Sequence, residues 1–144
     1  MPAAPYAGPL VVTLAYVALY YAFQVNLLRV KLRLAAEYAA RGEKFDRYFG
    51  HDREMLAADR FQLNMLEHMG PFLVLLWLNA VFVSPWSATV AGAVYVVARA
   101  LYPFAMGDRV GRGVRAAIFL STGPGYLVIA WFACALGFAL LKAD

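Results

Sequence analysis

The stretch Arg60-Phe61-Gln62-Leu63-Asn64-Met65-Leu66-Glu67-His68-Met69-Gly70-Pro71-Phe72-Leu73-Val74-Leu75-Leu76-Trp77 decides how this chain is read. It begins polar and ends apolar, and it reads as one helix. Arg60, Asn64 and Glu67 stand at i, i+4 and i+7, a spacing that puts them on one helical face. That face runs on into an uncharged segment of lipid length. An ionised group at the centre of a membrane span costs about 2.5–3.5 kcal/mol or more. Glu67 is therefore expected to face protein or a ligand, not lipid.

Working outward, composition agrees with a membrane setting. Of 144 residues, 63% are hydrophobic and 15% charged, with a mean hydropathy of +0.61. Soluble domains carry about 25% charged residues. The length suits a single bundle, so residues 1–144 are taken as one transmembrane domain. The formal charge of +4 does not point to nucleic acid, because the cations gather at the ends of apolar runs. Cys134 is the single cysteine, inside an apolar run, and is expected to be a buried, inert thiol. The first apolar run lacks a basic flank and a small-residue cleavage site, so it is expected to be a retained anchor.

No charged side chain occurs from Met1 to Leu28, and the run ends at Arg29-Val30-Lys31-Leu32-Arg33. A first helix over about 9–34 is long enough to span, with those cations snorkelling to the headgroups. Gln24 and Asn26 are expected on its inward side. Residues of about 35–52 form a polar loop punctuated by Gly42 and Gly50, with a share available to cap a ligand site from the water side. A second helix is expected over about 53–83, loosened at Pro71. Ser84-Pro85-Trp86 marks a short turn, which makes helices two and three antiparallel neighbours. The third helix spans about 86–107 and carries Arg99 and Tyr102. A basic, glycine-rich connection, Gly107 to Arg115, leads to the fourth helix over about 115–141, interrupted by Gly123-Pro124-Gly125. All the Lys and Arg except Lys142 fall in or beside the first and third connections. The positive-inside rule puts those connections in the cytoplasm and both termini outside. The fold class is thus all-α: an integral membrane four-helix bundle, antiparallel up-down.

Several side chains carry chemistry. Arg60 reads as an interfacial cation or a ligand group, and Asn64 as an interhelical hydrogen-bonding residue or a ligand group. Glu67 is expected to pair with Arg99 of helix three or Arg29 of helix one, so that three helices send opposite charges to one depth. Guanidinium forks with a nearby carboxylate suit a ligand bearing both carboxylates and an ammonium, such as a small peptide. His68 reads as a packing residue, about 100° round the helix from Glu67. No second His or Cys stands at metal-ligand spacing, so no metal is expected. No nucleophile triad or phosphate-cradling loop is present either, and Gly111-Arg112-Gly113 is too short for a nucleotide signature. Phe72, Trp77, Phe82 and Trp86 read as core, belt or lipid-facing residues. Arg115 opens the fourth helix, where the dipole and a full charge together favour an anion and would lower a thiol's pKa.

The pattern resembles the MAPEG family, the membrane-associated proteins in eicosanoid and glutathione metabolism. The family's helix-two signature, Arg-x-x-x-Asn-x-x-Glu followed by Pro-Phe, reads here as Arg60, Asn64, Glu67, Pro71 and Phe72. Ala98-Arg99 with Tyr102 resembles its helix-three pattern, and Arg115 its Arg at the start of helix four. The resemblance implies a homotrimer that binds glutathione between subunits at the cytoplasmic side. Position by position it implies glutathione contacts from Arg29 (with Arg33 as the competing position), Arg60, Gln62, Asn64, Glu67, Tyr102 and Arg115. Arg115 would stabilise the thiolate, and Arg99 matches a recurrent helix-three Arg. Met106 departs from the pattern, standing where many active members carry a Tyr hydroxyl.

The expected function is a membrane-bound glutathione transferase, with peroxidase activity as a variant of the same thiolate chemistry. Its expected partners are the lipid bilayer, glutathione as co-substrate, a lipophilic small molecule and copies of itself. The expected location is a multi-pass position in a bacterial inner membrane. The alternatives are a non-catalytic, lipid-binding relative and, unrelated to the family, a small proton-coupled exporter using Glu67.

Overall fold

The computed structural model describes residues 4–106 and 116–142. After a short 3-10 turn at Ala4–Tyr6, four helices follow: α1 Ala7–Ala40, α2 Arg53–Phe82, α3 Pro85–Met106 and α4 Ala116–Leu141. All four are long and apolar enough to cross a membrane. The architecture is all-helical, as a four-helix membrane bundle requires. Helix α3 packs against the other three, and α2 also packs against α1 and α4.

Helix α1 runs on to Ala40, past the end expected at about 34, so the polar loop is shorter than the 35–52 read from composition. Hydrophobicity fades at Arg29, but helix formation does not need lipid. Ala35, Ala36, Glu37, Ala39 and Ala40 are good helix formers, and nothing in them breaks the ladder. The stop is Gly42, at φ +73°. Its N–H bonds to the Ala39 carbonyl (3.0 Å) and the Glu43 N–H to the Tyr38 carbonyl (2.9 Å), the paired closure that a left-handed residue makes at a helix end. At 34 residues, α1 is about 51 Å long, against a hydrocarbon core of about 30 Å. Its far end therefore leaves the bilayer. There Leu27 and Leu34 pack against Met55 and Ala58 of α2 in a small second core, with Phe45 of the loop laid over it. Arg33 bonds Glu37 on its own helix and reaches Glu54 on α2.

The loop is built from local hydrogen bonds. Asp52 caps α2 by accepting from the Glu54 and Met55 N–H groups, both at 3.0 Å. Asp46 accepts from the N–H groups of Tyr48 (3.0 Å) and Phe49 (2.9 Å), folding the chain into a tight turn. The bond from the Phe49 N–H is the main reason the Asp46 carboxyl titrates below the usual carboxylate range, with Tyr48 adding to it. A depressed carboxyl stabilises the turn above its unfolded-state pKa of about 3.9, and loses that contribution as pH falls through the lower folded value. Amide exchange at Tyr48 and Phe49, normalised to intrinsic rates, should accelerate below about pH 4. An Asp46→Asn variant should show no such step.

The main core is aromatic and crosses all four helices. Phe72 of α2 stacks on Tyr95 of α3, with ring centroids 3.9 Å apart and planes at 12°. Tyr16 of α1 sits 5.0 Å from Phe72, and its hydroxyl donates to the Met65 carbonyl. Val128 and Phe132 close the cluster from α4. Fully buried Asn79 donates to the Phe132 carbonyl (3.0 Å) and ties α2 to α4 inside the apolar zone. Helix α2 continues unbroken through Pro71, as α4 does through Pro124. Two inward readings are corrected. Asn26 is exposed, and so is Cys134, because each falls on the outer face of its helix. Gln24 is partly buried and donates to the Tyr20 hydroxyl (2.9 Å).

Candidate functional site

The polar face of α2 divides between two neighbourhoods. Asn64 turns into the bundle and is nearly buried. Arg60 and Glu67 stand at its margin, their side chains 47% and 45% exposed, with 3.8 Å between Arg60 Nη1 and Glu67 Oε1. Within the single chain, then, a guanidinium and a carboxylate share an outer face at the polar end of an otherwise apolar helix. Pro71 adds to this. It has no N–H, so the Glu67 carbonyl lacks its donor four residues on, which leaves a backbone acceptor beside the carboxylate.

The expected pairing of Glu67 with Arg99 or Arg29 is not what forms. Arg99 is 1% exposed and donates from Nη1 to Asn64 Oδ1. Its guanidinium carbon lies 5.0 Å from the centroid of the Tyr95 ring, one turn back on α3. Its Nε and Nη2 find no hydrogen-bond partner among the described residues. The cause is helix rotation. The Phe72–Tyr95 stack turns the Tyr95/Arg99 face of α3 into the bundle. The α2 residue meeting it there is Asn64, not Glu67. Helix α4 makes room with Gly125: a Cβ there would lie 3.2 Å from Arg99 Nη2 and 3.4 Å from its Cζ, so any larger residue presses on the guanidinium. The Gly123-Pro124-Gly125 interruption, read as a kink from the sequence, thus has a packing role opposite a buried cation. A small residue facing an intramembrane Arg was the signal available for it.

The remaining candidates are placed as follows. Gln62 is partly buried and donates to the Tyr20 hydroxyl at 3.5 Å, the long limit of a hydrogen bond. Tyr102 is buried and packs edge-on against Phe61, with centroids 6.0 Å apart. Arg29 is exposed on α1 and makes no ion pair among the described residues. His68 packs edge-on against Tyr126 of α4 at 5.1 Å. Arg115 and the side chain of Met106 lie outside the described residues. The structure therefore joins Arg60 to Glu67 and Arg99 to Asn64. It leaves Arg29 apart from both pairs.

A four-helix membrane protein with a charge-bearing outer face on α2 and a buried guanidinium on α3 is a narrow class. The family model of the MAPEG family matches residues 9–139, nearly the whole chain. The chain belongs to the MAPEG family, and so to the membrane proteins of glutathione and eicosanoid metabolism. None of the curated proteins compared with it matches.

Proposed function

We propose that the protein is a homotrimeric, membrane-bound glutathione transferase, with peroxidase activity available to the same thiolate. The observation that carries this reading is the half-exposed Arg60–Glu67 pair. An ion pair at the mouth of a span is costly to leave against lipid, and a neighbouring subunit with a zwitterionic peptide between them would cover it. The site would lie between subunits on the cytoplasmic side of the inner membrane, where the cation-rich ends of the helices belong.

Glutathione is a co-substrate that supplies a thiol, two carboxylates and an ammonium. Arg60 and Arg29 of an adjoining subunit would take the carboxylates as guanidinium forks, with Asn64 and Gln62 assisting. Glu67, with the carbonyl that Pro71 leaves open, would hold the ammonium. Tyr102 would contribute the α3 hydroxyl. Arg99 would act from behind, fixing the amide of Asn64 through the bond it already makes. Arg115 would face the sulfur. A free thiol has a pKa of about 8.5 and is only a few per cent ionised at neutral pH. Lowering it by about 2 units takes about 2.7 kcal/mol of preferential anion stabilisation. One guanidinium in a partly dry site is enough for that. Lipophilic electrophiles would enter from the bilayer, where they concentrate.

Calorimetric titration of the detergent-purified protein with glutathione tests the reading, and no measurable binding would end it. Arg115→Leu should leave assembly and glutathione affinity nearly unchanged while removing the thiolate's ultraviolet absorbance and at least 99% of turnover, about 2.7 kcal/mol of barrier. Full turnover in that variant would take Arg115 out of the mechanism.

A further inference from the structure

Away from the α2 face, a cleft of about 370 Å³ opens between α1 and the loop. Gln24, Val25, Leu27, Leu28, Lys31 and Arg47 line it. The lining is graded. Lys31 and Arg47 form one end, and Val25, Leu27 and Leu28 continue down the span from it. Gln24 lies seven residues deeper than Lys31, about 10 Å along the helix axis. Lys31 makes no ion pair among the described residues. Arg47 gives one nitrogen to Asp59 on α2 at 3.2 Å, which holds the guanidinium at the cleft. With Asp59 counted, the three groups leave one net positive charge.

The residues at the cationic end of the cleft also suit the bilayer surface. Lys31 belongs to the cation cluster that ends the apolar part of α1. Arg47 is followed by Tyr48 and Phe49, residues that are 81% and 85% exposed at the tip of the Asp46 turn. Two adjacent bare aromatic rings on a charged loop suit the headgroup zone, where amphipathic rings settle, and poorly suit open water.

We infer that this cleft binds one phospholipid with a monoanionic phosphodiester headgroup, the phosphate between Lys31 and Arg47 and an acyl chain along Val25 and Leu28. The single net charge of the site matches the single charge of the headgroup. Basic recesses between membrane helices at the cytoplasmic edge take anionic headgroups by this means. The apolar side chains of Val25, Leu27 and Leu28 select a lipid over a soluble phosphate, because they offer buried surface to a tail. Arg29 is not among the residues that line the cleft, so a headgroup held between Lys31 and Arg47 does not draw on the cation assigned to glutathione.

The test uses the full chain in detergent, titrated with phosphatidylglycerol or with phosphatidylcholine of the same acyl chains, and read by native mass spectrometry. One phosphatidylglycerol per protomer should be retained, with a preference of about fivefold or more over phosphatidylcholine. Lys31→Gln should erase that preference, while Lys44→Gln, which removes an equal charge from the exposed loop, should keep it. Because Arg47 also holds Asp59, Arg47→Gln is scored only beside a thermal melt, and Lys31→Gln carries the decision. Equal retention of the two lipids, or equal loss in the Lys31 and Lys44 variants, would overturn the assignment. Displacement of the bound lipid by millimolar inorganic phosphate would overturn it too, by showing that the tail contributes nothing.

Discussion

Glu67→Gln is expected to weaken glutathione binding by about 30-fold or more, roughly 2 kcal/mol, with little change in the stability of the unliganded protein. The two halves of that expectation have separate causes. In the single chain the Glu67 carboxylate is 45% exposed and its bond to Arg60 is long, at 3.8 Å. Pairs of that kind contribute between nothing and about 1 kcal/mol to folding. In a complex between subunits the same carboxylate would be dry and opposite an ammonium. Removing one partner then leaves the other charge buried without compensation. The amide keeps the shape and one acceptor, so packing is not the variable. Isothermal titration of wild type and variant, with melting curves of both unliganded proteins, checks the two halves together. Unchanged affinity would place the ammonium elsewhere. A large loss of stability would mean that Glu67 holds the fold and not the peptide.

The second large effect concerns Asn64 and Arg99, and its size depends on which one is changed. Asn64→Leu should destabilise the unliganded protein by about 2 kcal/mol or more, because it removes the only hydrogen-bond acceptor that the buried guanidinium has among the described residues. Arg99→Met should cost much less, about 1 kcal/mol. It strands the Asn64 amide oxygen but also removes a charge that is expensive to bury. The Asn64→Leu/Arg99→Met double variant should approach wild-type stability, since an apolar pair of similar volume can replace a buried polar one at little cost. A double-mutant cycle by thermal or denaturant unfolding in detergent reads the coupling directly. Independent, additive losses would show that the two side chains do not depend on each other.

Much of the fold was legible from local pattern. Four apolar runs of spanning length, the polar stretch after the first, the turn at Ser84-Pro85 and the grouping of the cations are properties of short windows. The structure forms four membrane-length helices from them. The end of α1 was misplaced because hydropathy was used to stop it. Hydropathy reports where lipid ends, whereas the helix stops where the backbone turns left-handed at Gly42. The candidate site was legible as a face and not as a set of bonds. Arg60, Asn64 and Glu67 share a helical stripe, and their spacing says so. It does not say that the stripe straddles the edge of the bundle, with Asn64 inside and the two ions outside.

By itself, the sequence determined the class of protein, the number of membrane-length helices, the family motif and the residue types on the α2 face. Each of these is a sum or a spacing along one helix, and needs no knowledge of a neighbour. Only the tertiary structure decided that Glu67 takes Arg60, that Arg99 takes Asn64, that Gly125 yields space to a guanidinium, and that Cys134 points outward. Those outcomes follow from how far each helix is rotated about its own axis. The rotation is set by the Tyr16, Phe72 and Tyr95 rings, which interlock three different helices. A periodicity fixes which residues share a face. The direction in which that face points is settled by packing against segments distant in the chain.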